Sequence, residues 1–249
     1  MMKTYEEQIR LTTRDCDMNG EWKVSAILEA MQEAAGMHSM LLGCGREELL
    51  QNHMVWVISR CEIRMDRYPR IGEQITVSTF PMPTRICFFP RYYIFTDEHG
   101  ESIGKAGTLW LLLDTQTRRM RPPGDVGRLI PDNTDLSVPM NLPATVGQLQ
   151  GDELVTEYTP VYTDLDVNGH VNNARYADWL CNTLGIDMMR KFAPDSVILN
   201  YSHEVLPGQR VVLHRIIKDL QYRLTGYVGD TIAFDIGGTI SARNSETIN

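Results

Sequence analysis

The sequence predicts an α+β protein in which one helix and several antiparallel strands occur twice. Three observations predict it. The stretch Arg14 to Gly36, RDCDMNGEWKVSAILEAMQEAAG, is echoed by Thr163 to Gly185, TDLDVNGHVNNARYADWLCNTLG. Asp15, Asp17, Asn19, Gly20 and Gly36 fall on Asp164, Asp166, Asn168, Gly169 and Gly185 at a constant spacing of 149 positions, without gaps. Each copy then continues at helical spacing, through Ile27, Met31, Ala34 and Met37 or His38 in the first, and Ala174, Ala177, Cys181 and Leu184 in the second. Both helices are rather apolar, as suits a helix wrapped by a sheet. After each helix come strand-like segments.

In the first half these segments are VWVISRCEIRM, GEQITVSTF and RYYIFTDEHGESIGKAGTLWLLLD, the last with a hairpin turn at Asp97-Glu98-His99-Gly100. In the second half they are SVILNYSHEVL, QRVVLHRIIKD, LQYRLTGYV and DTIAFDIGGTIS. Between the halves, RPPGDVGRLIPDNTDLSVPMNLPATVGQ is rich in Pro, Gly and Asp and lacks periodicity, which marks a linker on the surface. The expected division is a first unit over 1–121, a linker over 122–150 and a second unit over 151–249. Two copies in one chain make a pseudo-dimer, so a monomer or a homodimer is expected.

Composition narrows the function. Apolar residues make up 43% and charged residues 22%, ordinary values for a globular protein. No apolar run reaches the length of a membrane span, and the opening MMKTYEEQIRLTTRD lacks the apolar core of a signal peptide. Five scattered cysteines without paired spacing argue against a disulfide framework or a zinc site. A reducing cytoplasm is the expected location. A net charge of −8 makes nucleic acid a poor general partner.

The Asp164–Asn168 pattern with Gly169 also opens like a calcium loop. Such a loop closes with a bidentate Glu at its twelfth position, and that position here holds Arg175. No metal or cofactor is expected. An Asx-rich turn leading into a helix accounts for Asp164 and Asn172. It does not account for Asp, Asn and His crowded into five residues. The two copies differ at one telling place: His170 stands where the first copy has Glu21. One half keeps a titratable base that the other lacks, which points to a single active site in the second half.

These residues carry a resemblance. DLDVNGHVNNARYADWL resembles the signature of the acyl-acyl carrier protein thioesterases of plant plastids and bacteria, through Asp166, Asn168, His170, Val171, Asn172, Asn173, Tyr176 and Trp179. LNYSHEVLPG resembles that family's second motif, a strand with a Glu soon after a Tyr, here Tyr201 and Glu204. The family often has a Cys directly after this Glu. Val205 stands there instead, so a Cys-His mechanism is not available. The first half is similar too, in RDCDMNG, its helix and LWLLLDTQTRRMRPP. The resemblance implies two tandem hot-dog domains, each a curved antiparallel sheet around a long helix. It further implies hydrolysis of acyl-acyl carrier protein to free fatty acid, ending or diverting fatty-acid synthesis.

Under that resemblance the candidate catalytic residues are Asp166, Asn168, His170 and Glu204. His170 and Glu204 are candidates for general base and acid. Asp166 would orient the imidazole, and Asn168 would position water or donate to the carbonyl. A helix beginning near Asn172 or Asn173 would aim N–H groups at the developing oxyanion. A carboxylate nucleophile, Asp166 or Glu204, is the alternative chemistry. His203 alternates with Glu204 along a strand, so only one of them faces the site. The other histidines, 38, 53, 99 and 214, have no recognisable partner.

The acyl pocket is expected in the first half, with Met31, Met54 and Trp56 as candidate lining, and Met37 and Met40 beside them. Acyl carrier protein is acidic, so docking needs a local basic surface. Arg118, Arg119 and Arg121 form one cluster, and Arg190 and Lys191 another. Within the enzyme class the alternative substrate is acyl-coenzyme A. From another class, a non-catalytic acyl-binding sensor on the same fold competes.

Overall fold

The computed structural model describes residues 2–243. Two compact units divide between Ala144 and Thr145. In the first unit the elements are β1 (Tyr5–Arg10), α1 (Val24–Leu41), α2 (Arg46–Gln51), β2 (Met54–Met65), β3 (Gln74–Pro81), β4 (Phe89–Thr96), β5 (Ser102–Asp114), the two-residue β6 (Met120–Arg121) and α3 (Gly124–Arg128). In the second they are β7 (Asp152–Tyr158), α4 (Arg175–Leu184), α5 (Ile186–Lys191), β8 (Phe192–Tyr201), β9 (Val211–Lys218), β10 (Gln221–Val228) and β11 (Thr231–Ala242).

The repeat seen in the sequence extends to the topology. The first unit orders its strands β1-β3-β4-β5-β2, and the second β7-β9-β10-β11-β8. Every pairing within each unit is antiparallel. Three strands were not expected: the two-residue β6, and β1 and β7, which open the units and sit at the outer end of each order. YEEQIR alternates strictly, with Glu6, Gln8 and Arg10 exposed and Glu7 between Tyr5 and Ile9 on the half-buried face, so the strand offers no apolar run to a sequence search. The expected Asp97–Gly100 turn closes as a hairpin, with Asp97 N donating to Glu101 O and Gly100 N to Asp97 O.

Helix α1 buries Val24, Ile27, Leu28, Met31, Ala34, Ala35 and His38, one continuous stripe at helical spacing. The second helix is shorter. Gly185, aligned in sequence with Gly36 inside α1, has φ +90° and ends α4. Residues 122–144 carry α3 and are tied to the first unit: Asn133 Nδ2 donates to Lys3 O (2.9 Å) and Pro81 O (2.7 Å).

A buried polar chain runs through the first unit. His38, fully buried, approaches Met2 O with Nε2 (3.2 Å) and Arg91 Nη1 with Nδ1 (3.2 Å). Arg91 Nη1 also donates to Thr79 Oγ1 (3.2 Å), which donates to Tyr92 O (3.0 Å). A carbonyl only accepts and a guanidinium only donates, so His38 is the neutral Nε2–H tautomer with Nδ1 as acceptor. Burial first, and the Arg91 cation second, hold the imidazole down at about 4. In the unfolded chain the same group takes up its proton near pH 6.5. The unfolded state therefore binds the extra proton between those values. The stabilisation is complete above about pH 6.5 and is lost as pH falls towards about 4, by about 3 kcal/mol in all. Urea unfolding of wild type and His38→Gln near neutral pH and at about pH 4.5 checks this. The wild type loses about 2–3 kcal/mol more than the variant over that interval; parallel losses would refute it.

Candidate active site

The site is built on a turn. Asp166 N donates to His170 O (2.8 Å) and Gly169 N to Asp166 O (3.0 Å), closing the backbone. Asp166 Oδ1 accepts from Asn168 N (2.8 Å) and His170 N (3.2 Å), and Asp166 Oδ2 accepts from Asn168 Nδ2 (3.3 Å). Gly169 has φ +77°, in the left-handed region that glycine enters without strain. Asp166 is expected to orient the imidazole, and no hydrogen bond between its carboxylate and the ring is present among the described residues. Among the described residues its oxygens accept from the Asn168 amide and from the peptide that carries the ring, so it positions His170 through the backbone.

The first unit repeats this turn almost atom for atom. Asp17 N donates to Glu21 O (2.8 Å) and Gly20 N to Asp17 O (3.0 Å). Asp17 accepts from Asn19 N (2.8 Å), Glu21 N (3.2 Å) and Asn19 Nδ2 (3.1 Å), and Gly20 has φ +72°. The Asp-Asn-Gly arrangement therefore forms whether or not a histidine follows. What differs between the units is the side chain the turn presents.

A second segment meets the turn. Val171 N donates to Val205 O (3.1 Å), drawing the loop after β8 against the His170 turn. His170 Nδ1 then lies 3.6 Å from Glu204 Oε1, with the two side chains 28% and 33% exposed. That separation is beyond a hydrogen bond, but both groups reach solvent from one wall of the site. Glu204 was expected on a strand; β8 ends at Tyr201 and Glu204 lies in the loop beyond it. His203 turns away, its Nδ1 3.0 Å from Ile232 O.

The first unit has the same crossing. Trp22 N, the counterpart of Val171 N, donates to Pro69 O (2.9 Å). Pro69 thus corresponds to Val205, and Tyr68 to Glu204. Gly72 and Gly208, three residues further on in each loop, share positive φ at +90° and +78°. The first unit therefore carries Glu21 and Tyr68 where the second carries His170 and Glu204. Sequence comparison revealed only the first of these exchanges, because the two loops lie at a different offset from the two turns.

Aromatic packing supports the site from beneath. Tyr176 and Trp179 lie on α4 with ring centroids 5.0 Å apart, and both pack on Phe234, at 4.6 and 5.8 Å. Tyr201 meets Tyr176 edge-on at 5.5 Å and donates its hydroxyl to Asn173 O (3.1 Å). Burial pushes the Tyr176 hydroxyl well above the usual phenol range; its hydrogen bond with the Val205 backbone opposes this, and the charges of Glu204 and Asp166 reinforce it. Helix α4 starts at Arg175, later than expected, after Asn172 Oδ1 accepts from Ala174 N (2.9 Å).

The other predicted residues lie in the first unit. Met54 and Trp56 are partly buried against a cluster of Leu42, Cys44, Leu49, Phe89, Leu112 and Val126. Met31 is 2% exposed on the buried stripe of α1, whereas Met37 and Met40 face solvent. Arg118, Arg119 and Arg121 are exposed at the β5–β6 turn, and Arg121 Nη1 lies 3.7 Å from Asp114 Oδ2. No described helix is long and apolar enough to cross a membrane.

Comparison with known proteins agrees across both units. The profile of the acyl-ACP thioesterase N-terminal domain matches residues 2–125, and that of the C-terminal domain matches residues 147–233. The chain is 25% identical over 207 residues to a chloroplastic acyl-[acyl-carrier-protein] hydrolase of Cuphea viscosissima, covering 78% of this chain and 50% of that protein. It is 27% identical over 194 residues to a chloroplastic palmitoyl-acyl carrier protein thioesterase of Arabidopsis thaliana, covering 73% and 47%. The chain thus spans about half the length of these plant relatives. In fold it is similar to an acyl-ACP thioesterase from Bacteroides thetaiotaomicron, with TM-score 0.85, 21% identity, and 96% and 98% of the two chains covered. A 12:0-ACP thioesterase from Umbellularia californica gives TM-score 0.83 at 20% identity, covering 96% and 98%. Each unit is a hot-dog domain, an antiparallel sheet packed on a helix.

The duplicated turn separates shape from chemistry in a measurable way. Asp17→Ala removes a half-buried acceptor from several N–H donors and should cost about 1–3 kcal/mol of stability, with kcat/KM of the folded protein changed less than about threefold. Asp166→Ala should cost a similar stability and, in addition, at least about tenfold in kcat. Thermal unfolding with kinetics on the folded fraction distinguishes them. An equal kinetic penalty from both substitutions would overturn the division.

Proposed function

The chain belongs to the acyl-ACP thioesterase family, and on that premise we propose that it hydrolyses the thioester of acyl-acyl carrier protein to free fatty acid and carrier protein. The carrying observation is the approach of Glu204 Oε1 to His170 Nδ1 at 3.6 Å, on a turn whose twin in the first unit lacks both groups. A carboxylate beside Nδ1 favours the tautomer with the proton there. Nε2 is then a bare lone pair and the general base.

The steps follow from that tautomer. Nε2 takes a proton as a water oxygen attacks the thioester carbonyl carbon, and a tetrahedral oxyanion forms. Glu204 stabilises the imidazolium. The Asn168 amide, anchored by Asp166, is the candidate donor to water or to the oxyanion. The intermediate collapses with cleavage of the carbon–sulfur bond, and the imidazolium proton passes to the thiolate. Carboxylic acid and thiol leave, so every atom is balanced by one water.

In this scheme the first unit takes the acyl chain, with Met54 and Trp56 as its lining. The exposed Arg118, Arg119 and Arg121 are the docking candidates for an acidic carrier. The five cysteines are free thiols, which suits action in a reducing cytoplasm.

The test is free fatty acid release from acyl-carrier-protein and matching acyl-coenzyme A substrates. His170→Ala should lower kcat by about 10³-fold or more, and Glu204→Gln by about 10–10²-fold, with unfolding midpoints unchanged. Tight acyl binding without release by wild type would favour the sensor reading instead. Faster turnover of the coenzyme A thioester would favour that alternative.

Charge reversal at Arg118, Arg119 and Arg121 should raise KM for the carrier-bound substrate by about tenfold while leaving a small thioester unaffected. Equal effects on both substrates would remove these residues from the docking surface.

A further inference from the structure

We propose that the first unit contains a carboxylate-binding subsite, formed by the Arg91 guanidinium and the Tyr93 hydroxyl, which takes the carboxylate of an aliphatic chain. The subsite lies outside the catalytic pair and is read by binding alone.

The argument starts from an uncompensated charge. Arg91 is 6% exposed, and no Asp or Glu among the described residues pairs with it. Burying a lone cation costs several kcal/mol unless something meets it. Its polar neighbours in the unit, His38, Thr79, Cys44 and Tyr93, are all neutral in their ordinary states. Nη1 is engaged by His38 and Thr79. The Nε–Nη2 edge has no acceptor among the described residues. That edge presents two parallel N–H groups, the fork that matches the two oxygens of a carboxylate.

Tyr93 adds a second donor. Two positions along β4, it shares a face with Arg91 and is completely buried, with the Thr108 and Trp110 side chains beside its hydroxyl but neither in good hydrogen-bond geometry with it. Its polar neighbours are already committed. Trp110 Nε1 donates to Thr108 Oγ1 (2.8 Å), and Thr108 Oγ1 donates to Arg91 O (3.3 Å). A guanidinium edge and a buried hydroxyl, both without a hydrogen-bonded acceptor on one strand face, define a place for an anion.

The surroundings specify the rest of the ligand. Phe89 precedes Arg91 on the same face and pairs across the ladder with Trp110. Trp56 meets Phe89 edge-on at 4.7 Å, and Met54 joins the same partly buried cluster. An aliphatic chain lying on this wall brings its end to Arg91. The carboxylate has two possible sources: a free fatty acid, or the far end of an acyl chain bearing a second carboxyl.

The experiment titrates wild type, Arg91→Met, Arg91→Lys and Tyr93→Phe with dodecanoate and with dodecan-1-ol near neutral pH, followed by tryptophan fluorescence. Wild type should bind the acid at least about tenfold more tightly than the alcohol. Arg91→Met should abolish that preference while leaving alcohol affinity within about threefold, Arg91→Lys should keep part of it, and Tyr93→Phe should weaken acid binding a few-fold. Equal affinity of wild type for acid and alcohol overturns the proposal, as does an acid preference that survives in Arg91→Met. Should Arg91→Met not fold, the wild-type ratio and Tyr93→Phe still decide. Binding needs no thioester, so loss of the hydrolase reading would leave this result standing. The source is assigned by comparing dodecanoyl- and dodecanedioyl-coenzyme A. Preference for the dicarboxylic thioester, lost in Arg91→Met, assigns it to the incoming chain. Inhibition of plain-thioester turnover by dodecanoate, again lost in the variant, assigns it to the product.

Discussion

One backbone hydrogen bond decides what the second unit can do. Val171 N to Val205 O, at 3.1 Å, fastens the turn carrying His170 to the loop carrying Glu204. Without it the two side chains belong to segments more than thirty residues apart in sequence. Everything beneath serves that bond. The Asp166 carboxylate fixes the turn on one side, and the Tyr176–Trp179–Phe234 packing fixes the helix below. A peptide–peptide bond suits this role because, proline at position 171 apart, no change of side chain removes its donor or acceptor.

The same bond occurs in the first unit between Trp22 and Pro69, where it brings Glu21 and Tyr68 together in place of a His–Glu pair. A scaffold preserved without its chemistry identifies the scaffold as a folding requirement. The turn satisfies the N–H groups of Asn19, Gly20 and Glu21 with the carboxylate and carbonyl of Asp17, which a buried or half-buried bend must do in any case. The residue chemistry of the second unit is an addition to that requirement.

Much of this was legible in the chain. The ungapped repeat exposed the duplicated architecture, since Asp, Asn and Gly in a fixed order are dictated by turn geometry. The apolar strands and α1 were legible from periodicity. The end strands β1 and β7 were not, because the alternating β1 and the largely exposed β7 carry too few apolar residues to announce themselves. The match of Tyr68 to Glu204 was hidden as well: the chain between turn and loop differs in length, so only hydrogen bonds align them. His38 and Arg91 lie far apart in sequence and reveal their pairing only in space. The family motif pointed to Glu204, but not to its place in a loop.

The twin turns also set how freely each half can change over evolutionary time. Position 21 answers only to the shape of a bend, so many residues are acceptable there, and drift is tolerated. On the proposed function, position 170 answers to shape and to proton transfer, so far fewer replacements should be acceptable there. A single gene thereby holds two copies of one bend under unequal selection, and sequence divergence between the halves should concentrate at the tips rather than at the Asp-Asn-Gly frame.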